Sequence, residues 1–130
     1  LMHRMAKLLS DEDIAHLAAY YSTHDAPRVP PTTDMTLAKQ GADLATKGDL
    51  ARGVVPCSTC HGAKGESGIT PQTPALAGQT PDYFILAMQM YRDGMRRSDV
   101  GGMMRNLSKS LTDEEIEALA HFYASQGAAR

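Results

Sequence analysis

The stretch VVPCSTCHG, residues 54–62, limits this chain more than any other part of it. Both cysteines of the protein, Cys57 and Cys60, lie there three residues apart, with His61 directly behind the second. Two thiols on so short a segment serve three chemistries: dithiol exchange, zinc binding and covalent attachment of a haem. Each requires a different fold around the motif, so the rest of the chain has to decide between them.

A chain of 130 residues, 42% of them hydrophobic, suits one compact domain with an appended segment. No apolar run approaches the roughly 20 residues needed to cross a bilayer. A formal charge of −2 gives no reason to expect nucleic acid as a partner. Tryptophan is absent and phenylalanine appears twice, whereas methionine appears eight times. A core so short of rings and so rich in thioethers can be completed by a bulky apolar prosthetic group. Leu1 is not an initiator and no signal-peptide hydrophobic region follows it, as expected of a mature chain, an excised piece or an engineered fragment.

Four stretches carry helical periodicity and none shows the alternation of a strand, which predicts an all-α fold. In the last, Thr112 and Glu115 form a capping box, and Ile116, Leu119, Ala120 and Tyr123 recur at i, i+3, i+4, i+7. Another starts at Pro81, behind the N-cap candidate Thr80, and stops at Gly94; being apolar nearly all round, it is expected to be mostly buried. A third covers MTLAKQGADLATKG, where the interior Gly41 predicts a close crossing with another helix. Residues 62–78, crowded with Gly and Pro, predict a long irregular loop.

The fourth stretch reveals a repeat. At a constant offset of 102, residues 2–28 match residues 104–130 at eleven of twenty-seven positions. Agreement extends beyond the helix, from Met2 to Ala26 and Arg28, so it exceeds what two similar amphipathic helices would share. Residues 1–24 therefore read as the loop end and final helix of a preceding unit, and the Pro-rich 25–34 as a linker. Residues 35–130 form one complete unit. In 1–28 the apolar stripe of Leu17, Ala18 and Tyr21 lacks its own cover, which predicts docking on the rest of the chain or self-association with a second copy.

Zinc requires four ligands in a structural site, and no second cysteine pair exists to close a tetrahedron. A redox dithiol of the thioredoxin kind sits in a βαβ context, and no strands surround this one. Covalent haem explains every residue: two thiols on one turn can add to the two vinyl groups of a porphyrin, leaving His61 beneath the iron. A second axial ligand has several candidates. A His/His pair would need His3, His16, His24 or His121, of which His121 lies on the amphipathic last helix; Met88 and Met90 fall within a core-like helix, and Met95 follows its stop. In VGGMMRN, paired methionines stand on a glycine-rich loop ahead of a capped helix; Met104 recurs in the repeat as Met2, whereas Met103 faces Leu1.

Together DMTLAKQGADL, CSTCHG, PALAGQ, YRDGMRR and MMRNLSKSLTDEEIEALAHFYAS resemble a class I cytochrome c, and most nearly the C-terminal haem domain of a dihaem cytochrome c of the c4 type. The resemblance implies helices and long loops wrapped around one covalent haem c. It makes Cys57 and Cys60 the thioether anchors, His61 the proximal iron ligand and Met104 the distal one. Pro74 matches the residue whose carbonyl accepts the Nδ1–H of the ligating histidine. Gly41 and Tyr123 match the contact between N- and C-terminal helices. One unit of such a dihaem protein is missing, and Met2, without its own Cys-x-x-Cys-His, is given no ligand role.

His/Met ligation fills the iron's coordination and favours a one-electron carrier of raised potential. The family implies a periplasmic protein taking electrons from a quinol-oxidising complex or a dehydrogenase and passing them to a terminal oxidase. Alternatively the chain is the haem subunit or domain of a periplasmic dehydrogenase acting on sulfide or alcohols. A third reading is a haem enzyme or gas sensor in which Met104 is displaced. Arg92, Arg96, Arg97 and Arg105 cluster around the distal loop, suited to haem propionates, to an acidic partner, or to nothing beyond solvation.

Overall fold

The computed structural model describes residues 2–24, 33–66 and 68–127. The linker reading of residues 25–34 falls mostly outside the described residues, as does the end of the repeat. Seven α-helices follow in order: α1 Met2–Ala6, α2 Asp11–Ser22, α3 Met35–Lys47, α4 Ser58–His61, α5 Pro81–Arg92, α6 Met103–Lys109 and α7 Asp113–Ser125. Among the described residues no strand occurs, only an isolated bridge between Asp49 and Val54. The four long helices were legible from periodicity; α1, α4 and α6 are too short to show one.

Caps account for the boundaries. Thr112 accepts from the Glu115 amide while Glu115 accepts from the Thr112 amide, and the equivalent pair in α2, Ser10 and Asp13, closes the same box. Asp34 caps α3 by accepting from the Thr36 and Leu37 amides. The Thr80 side chain makes no cap bond, so Pro81, with φ already helical and no N–H to satisfy, sets the start of α5.

The core is the crossing of α3 with α7, with α5 laid against α7 and α6. Ile116, Leu119, Ala120 and Tyr123 of α7 are all but inaccessible, and Ala45, Val54, Phe84, Met88 and Leu111 close around them. Each aliphatic side chain buried in this way contributes about 1.5–3 kcal/mol. The crossing is tight because Gly41 has no side chain: a Cβ there would stand 2.5 Å from the Ala118 carbonyl carbon and 2.9 Å from the Leu119 amide nitrogen. The glycine thus meets the α7 backbone at Ala118 and Leu119, and the Tyr123 ring, further along the same helix, packs on Phe84 and Phe122.

Two expectations are revised. Only Phe84 and Met88 of α5 are buried, while Tyr83 and Leu86 are about half exposed, because α6 and α7 cover just one face of the helix. Among the described residues α1 and α2 pack against no later element, and Ile14, Leu17 and Tyr21 stand exposed, so of the two expected covers for the α2 stripe docking within the chain is not seen and self-association stays as the alternative.

The arginines behind the distal loop divide by role. Arg92 ties α5 to the start of α7, donating to Asp113 at 2.6 Å and to the Ser108 and Leu111 carbonyls. Arg105 donates to Asp99, whose carboxylate is almost wholly buried and also accepts from the Arg105 amide. Arg97 donates to the Gly94 carbonyl, and Arg96 lies 4.9 Å over the Tyr91 ring. Elsewhere Arg52 bridges Asp49 and Glu115 and reaches the Ser110 carbonyl, tying the loop after α3 to the α7 cap.

Candidate haem site

The sequence CSTCH folds into one helical turn because Cys57 opens it with helical dihedrals and Gly62, at φ 85°, ends it where a side chain would strain. Cys57 is buried and Cys60 half-buried, so both sulfurs leave the same short turn. Burial pushes the Cys57 thiol upward in pKa. No disulfide joins the two cysteines.

His61 is buried, and its Nδ1–H donates to the Pro74 carbonyl oxygen at 2.8 Å. The carbonyl cannot donate, so this bond assigns the ring proton to Nδ1 and leaves Nε2 with a free lone pair. The long loop brings Pro74 into place through main-chain bonds: the Ile69 amide donates to the Cys60 carbonyl, and the Leu76 and Ala77 amides donate to the Gly65 carbonyl. The loop's length is what lets residue 74 return to residue 61.

Met104 opens α6 beside Met103, and the two differ sharply. Met103 is 61% exposed, whereas Met104 packs against the core that contains Cys57. Gly101 and Gly102, at φ 65° and 74°, turn the chain into α6 where a Cβ would strain. The Asp99–Arg105 pair brackets this turn, and Ser108 Oγ donates to the Met104 carbonyl. Neither Asp99 nor Ser108 stood out in the sequence; an Asp ahead of a Gly-Gly turn was the available signal. Of the other axial candidates, His121 Nδ1 accepts from the Asp34 amide at 3.0 Å, and Met95 is 70% exposed.

These residues fit a covalently held haem. The Tyr123 hydroxyl is buried and without a hydrogen-bond partner, an orphan in the apolar region around Cys57. The exposed face of α5 and residues 95–98 border a cleft of about 410 Å³ lined by Tyr83, Leu86, Ala87 and Met90, apolar surface that the polypeptide does not cover. None of Cys57, Cys60, His61, Pro74 or Met104 lines that cleft. Among the described residues no group of three or more His, Cys, Asp or Glu is placed to hold a metal ion.

Helices around a Cys-x-x-Cys-His turn, with the paired methionines opening a short helix, and not lying on the expected loop, ahead of the last one, define a class I cytochrome c fold. The chain belongs to the cytochrome c family: residues 38–126 match the model named Cytochrome c, and the family carries covalent haem c. It is 37% identical over 122 residues to cytochrome c4 of Thiocapsa roseopersicina, covering 93% of this chain and 62% of that protein. It is 35% identical to the thiosulfate dehydrogenase electron acceptor of Thiomonas intermedia, covering 97% of this chain and 58% of the relative. The crystal structure of reduced cytochrome c4 from Pseudomonas stutzeri superposes with a TM-score of 0.83 at 32% identity, over 94% of this chain and 64% of that one. The chain thus spans about six-tenths of the length of the curated relatives it matches. Among the described residues no helix is long and apolar enough to cross a membrane.

Proposed function

We propose that this electron-transfer protein carries a single haem c, anchored through Cys57 and Cys60, with His61 as proximal and Met104 as distal iron ligand. The observation that carries the reading is the His61–Pro74 bond, which presents Nε2 for coordination and fixes the ring in one orientation. When bound, haem c supplies a one-electron iron couple. The protein's part is to hold that group still: α4 fixes two covalent anchors, Pro74 aims His61, and the bracketed turn before α6 aims Met104. Cys57 is buried in one apolar cluster with Leu119, Phe122 and Tyr123. With both axial positions taken by protein, no coordination site is left for a substrate, which suits a carrier.

The periplasm is the proposed compartment, with a quinol-oxidising complex or a dehydrogenase as donor and a terminal oxidase as acceptor. The dehydrogenase arm has specific support, since a relative matched over 97% of this chain and 58% of its own length is named a thiosulfate dehydrogenase electron acceptor. On that arm the electrons come from oxidation of a small inorganic sulfur compound. Residues 1–24 are proposed as the remnant of a preceding cytochrome c unit and 25–34 as the linker to the unit at 35–130. The support is the duplicated capping box and the greater length of the relatives. The deciding experiment is intact mass beside spectra and potentiometry. One haem adduct, a reversible one-electron wave and no rapid CO binding by the reduced form are expected. Loss of the haem into acidified solvent would overturn the reading.

A further inference from the structure

The turn that leads into α6 has little of its own to hold it. Gly101 and Gly102 both stand in the left-handed region, at φ 65° and 74°, and glycine is the residue whose backbone has most freedom to lose. Gly102 is also the N-cap of α6 and has no side chain with which to satisfy the first-turn amides. Asp99 supplies what the glycines lack. Its Oδ2 accepts from the Arg105 amide at 3.0 Å, a position that an N-cap side chain would ordinarily reach. Its Oδ1 accepts from Arg105 Nε at 2.9 Å, and its main-chain carbonyl accepts from the Gly102 amide at 3.3 Å. The Asp99 side chain is 2% exposed, so its carboxylate is held out of water and is fixed by the donors of one residue.

The peptide between Met104 and Arg105 is thereby gripped at both ends. Ser108 Oγ, on a fully buried residue, donates to its carbonyl oxygen, and Asp99 accepts from its N–H. Met103, one residue earlier, is 61% exposed, so the core meets this stretch through Met104 and not through its neighbour. We propose that Asp99 is the positioning residue for Met104: by holding the peptide that follows Met104, its carboxylate keeps the thioether on the iron against competing ligands. The inference deepens the ligand reading given above and rests on Met104 being that ligand. A thioether is a soft donor, whereas imidazole suits iron well, so the sixth position stays closed only while opening the turn is costly.

The test is competition by imidazole in the oxidised holoprotein, where an added ligand binds only as the Met104 sulfur leaves. Asp99→Ala removes both side-chain bonds, while Asp99→Asn keeps the shape and an acceptor for the amide but loses the charge. Imidazole affinity is read from the absorption spectrum, together with loss of the weak charge-transfer band. It is expected to rise about tenfold or more in Asp99→Ala, the size of one lost hydrogen bond to a charged group, and by less in Asp99→Asn. In a Met104→Ala background, where no thioether competes, adding Asp99→Ala should leave imidazole affinity unchanged. A role confined to stability would lower the thermal midpoint and leave imidazole affinity at the parent's value. That result in Asp99→Ala, or in Asp99→Asn should the alanine variant not fold, overturns the proposal. An equal rise in the Met104→Ala background overturns it too. A parent-like charge-transfer band in Met104→Ala itself would instead strike the ligand reading, so the two failures are distinguishable.

Discussion

Replacing Gly41 by alanine isolates the contact on which the helix crossing rests. In an exposed helix the change would stabilise, since alanine's helix propensity exceeds glycine's by about 1 kcal/mol. Here the new Cβ meets main-chain atoms of Ala118 and Leu119, the latter at 2.9 Å, and main chain has no rotamer to change. Relief requires α3 and α7 to separate, which opens gaps around Ala45, Ile116 and Leu119, each now about 1% exposed. Overpacking of this kind costs about 1–3 kcal/mol and more where both sides are rigid. With both sides rigid the cost lies at the upper end, about 3 kcal/mol, and subtracting the propensity gain of about 1 kcal/mol leaves an expected loss of about 2 kcal/mol. For a folding unit of this size that lowers the thermal midpoint by about 5–20 °C. Thermal unfolding of the holoprotein, followed together by far-ultraviolet circular dichroism and the haem absorption band, reads the change. A midpoint equal to or above the parent's would refute the reasoning, because it would show propensity winning and the crossing to be looser than described.

Met104→Ala should abolish the weak charge-transfer band at the red end of the oxidised spectrum and lower the potential, while Met103→Ala leaves both in place; the reverse pattern would reassign the ligand. Acid stability should fall in a defined window. The Arg52 guanidinium holds the Glu115 carboxyl below its ordinary range, and at Asp99 the Arg105 amide and guanidinium outweigh burial and lower it too. Both groups bind protons less readily folded than unfolded, so their contribution is present above about pH 5 and drains as pH drops through the carboxylate range. Thermal midpoints of Arg52→Met between neutral pH and pH 3 should show a shallower acid decline than the parent's; an identical slope would remove Glu115 from the account. Limited proteolysis in dilute solution should cut within residues 2–24 before any site in 35–127, since α1 and α2 are exposed throughout; protection of that segment would mean that a second chain covers it.

What the sequence by itself determined lies within reach of a few residues. The Cys-x-x-Cys-His turn, both capping boxes, the start at Pro81 and the repeat at offset 102 are local patterns. They are legible because neighbouring residues on a helix or turn have their mutual geometry imposed by the backbone. Gly41 was legible as a close approach, and the resemblance named the last helix as its partner, but not the residues met there. Only the tertiary structure decided that Ala118 is its neighbour, that the Tyr123 ring is held between Phe84 and Phe122, and that Asp99 and Arg105 bracket the methionine turn. It likewise separated arginines that look alike in sequence, assigning Arg92 to Asp113 and Arg96 to an aromatic face. The reason is physical: contacts between distant segments depend on the paths of loops and the angles at which helices cross. Neither leaves a period in the chain.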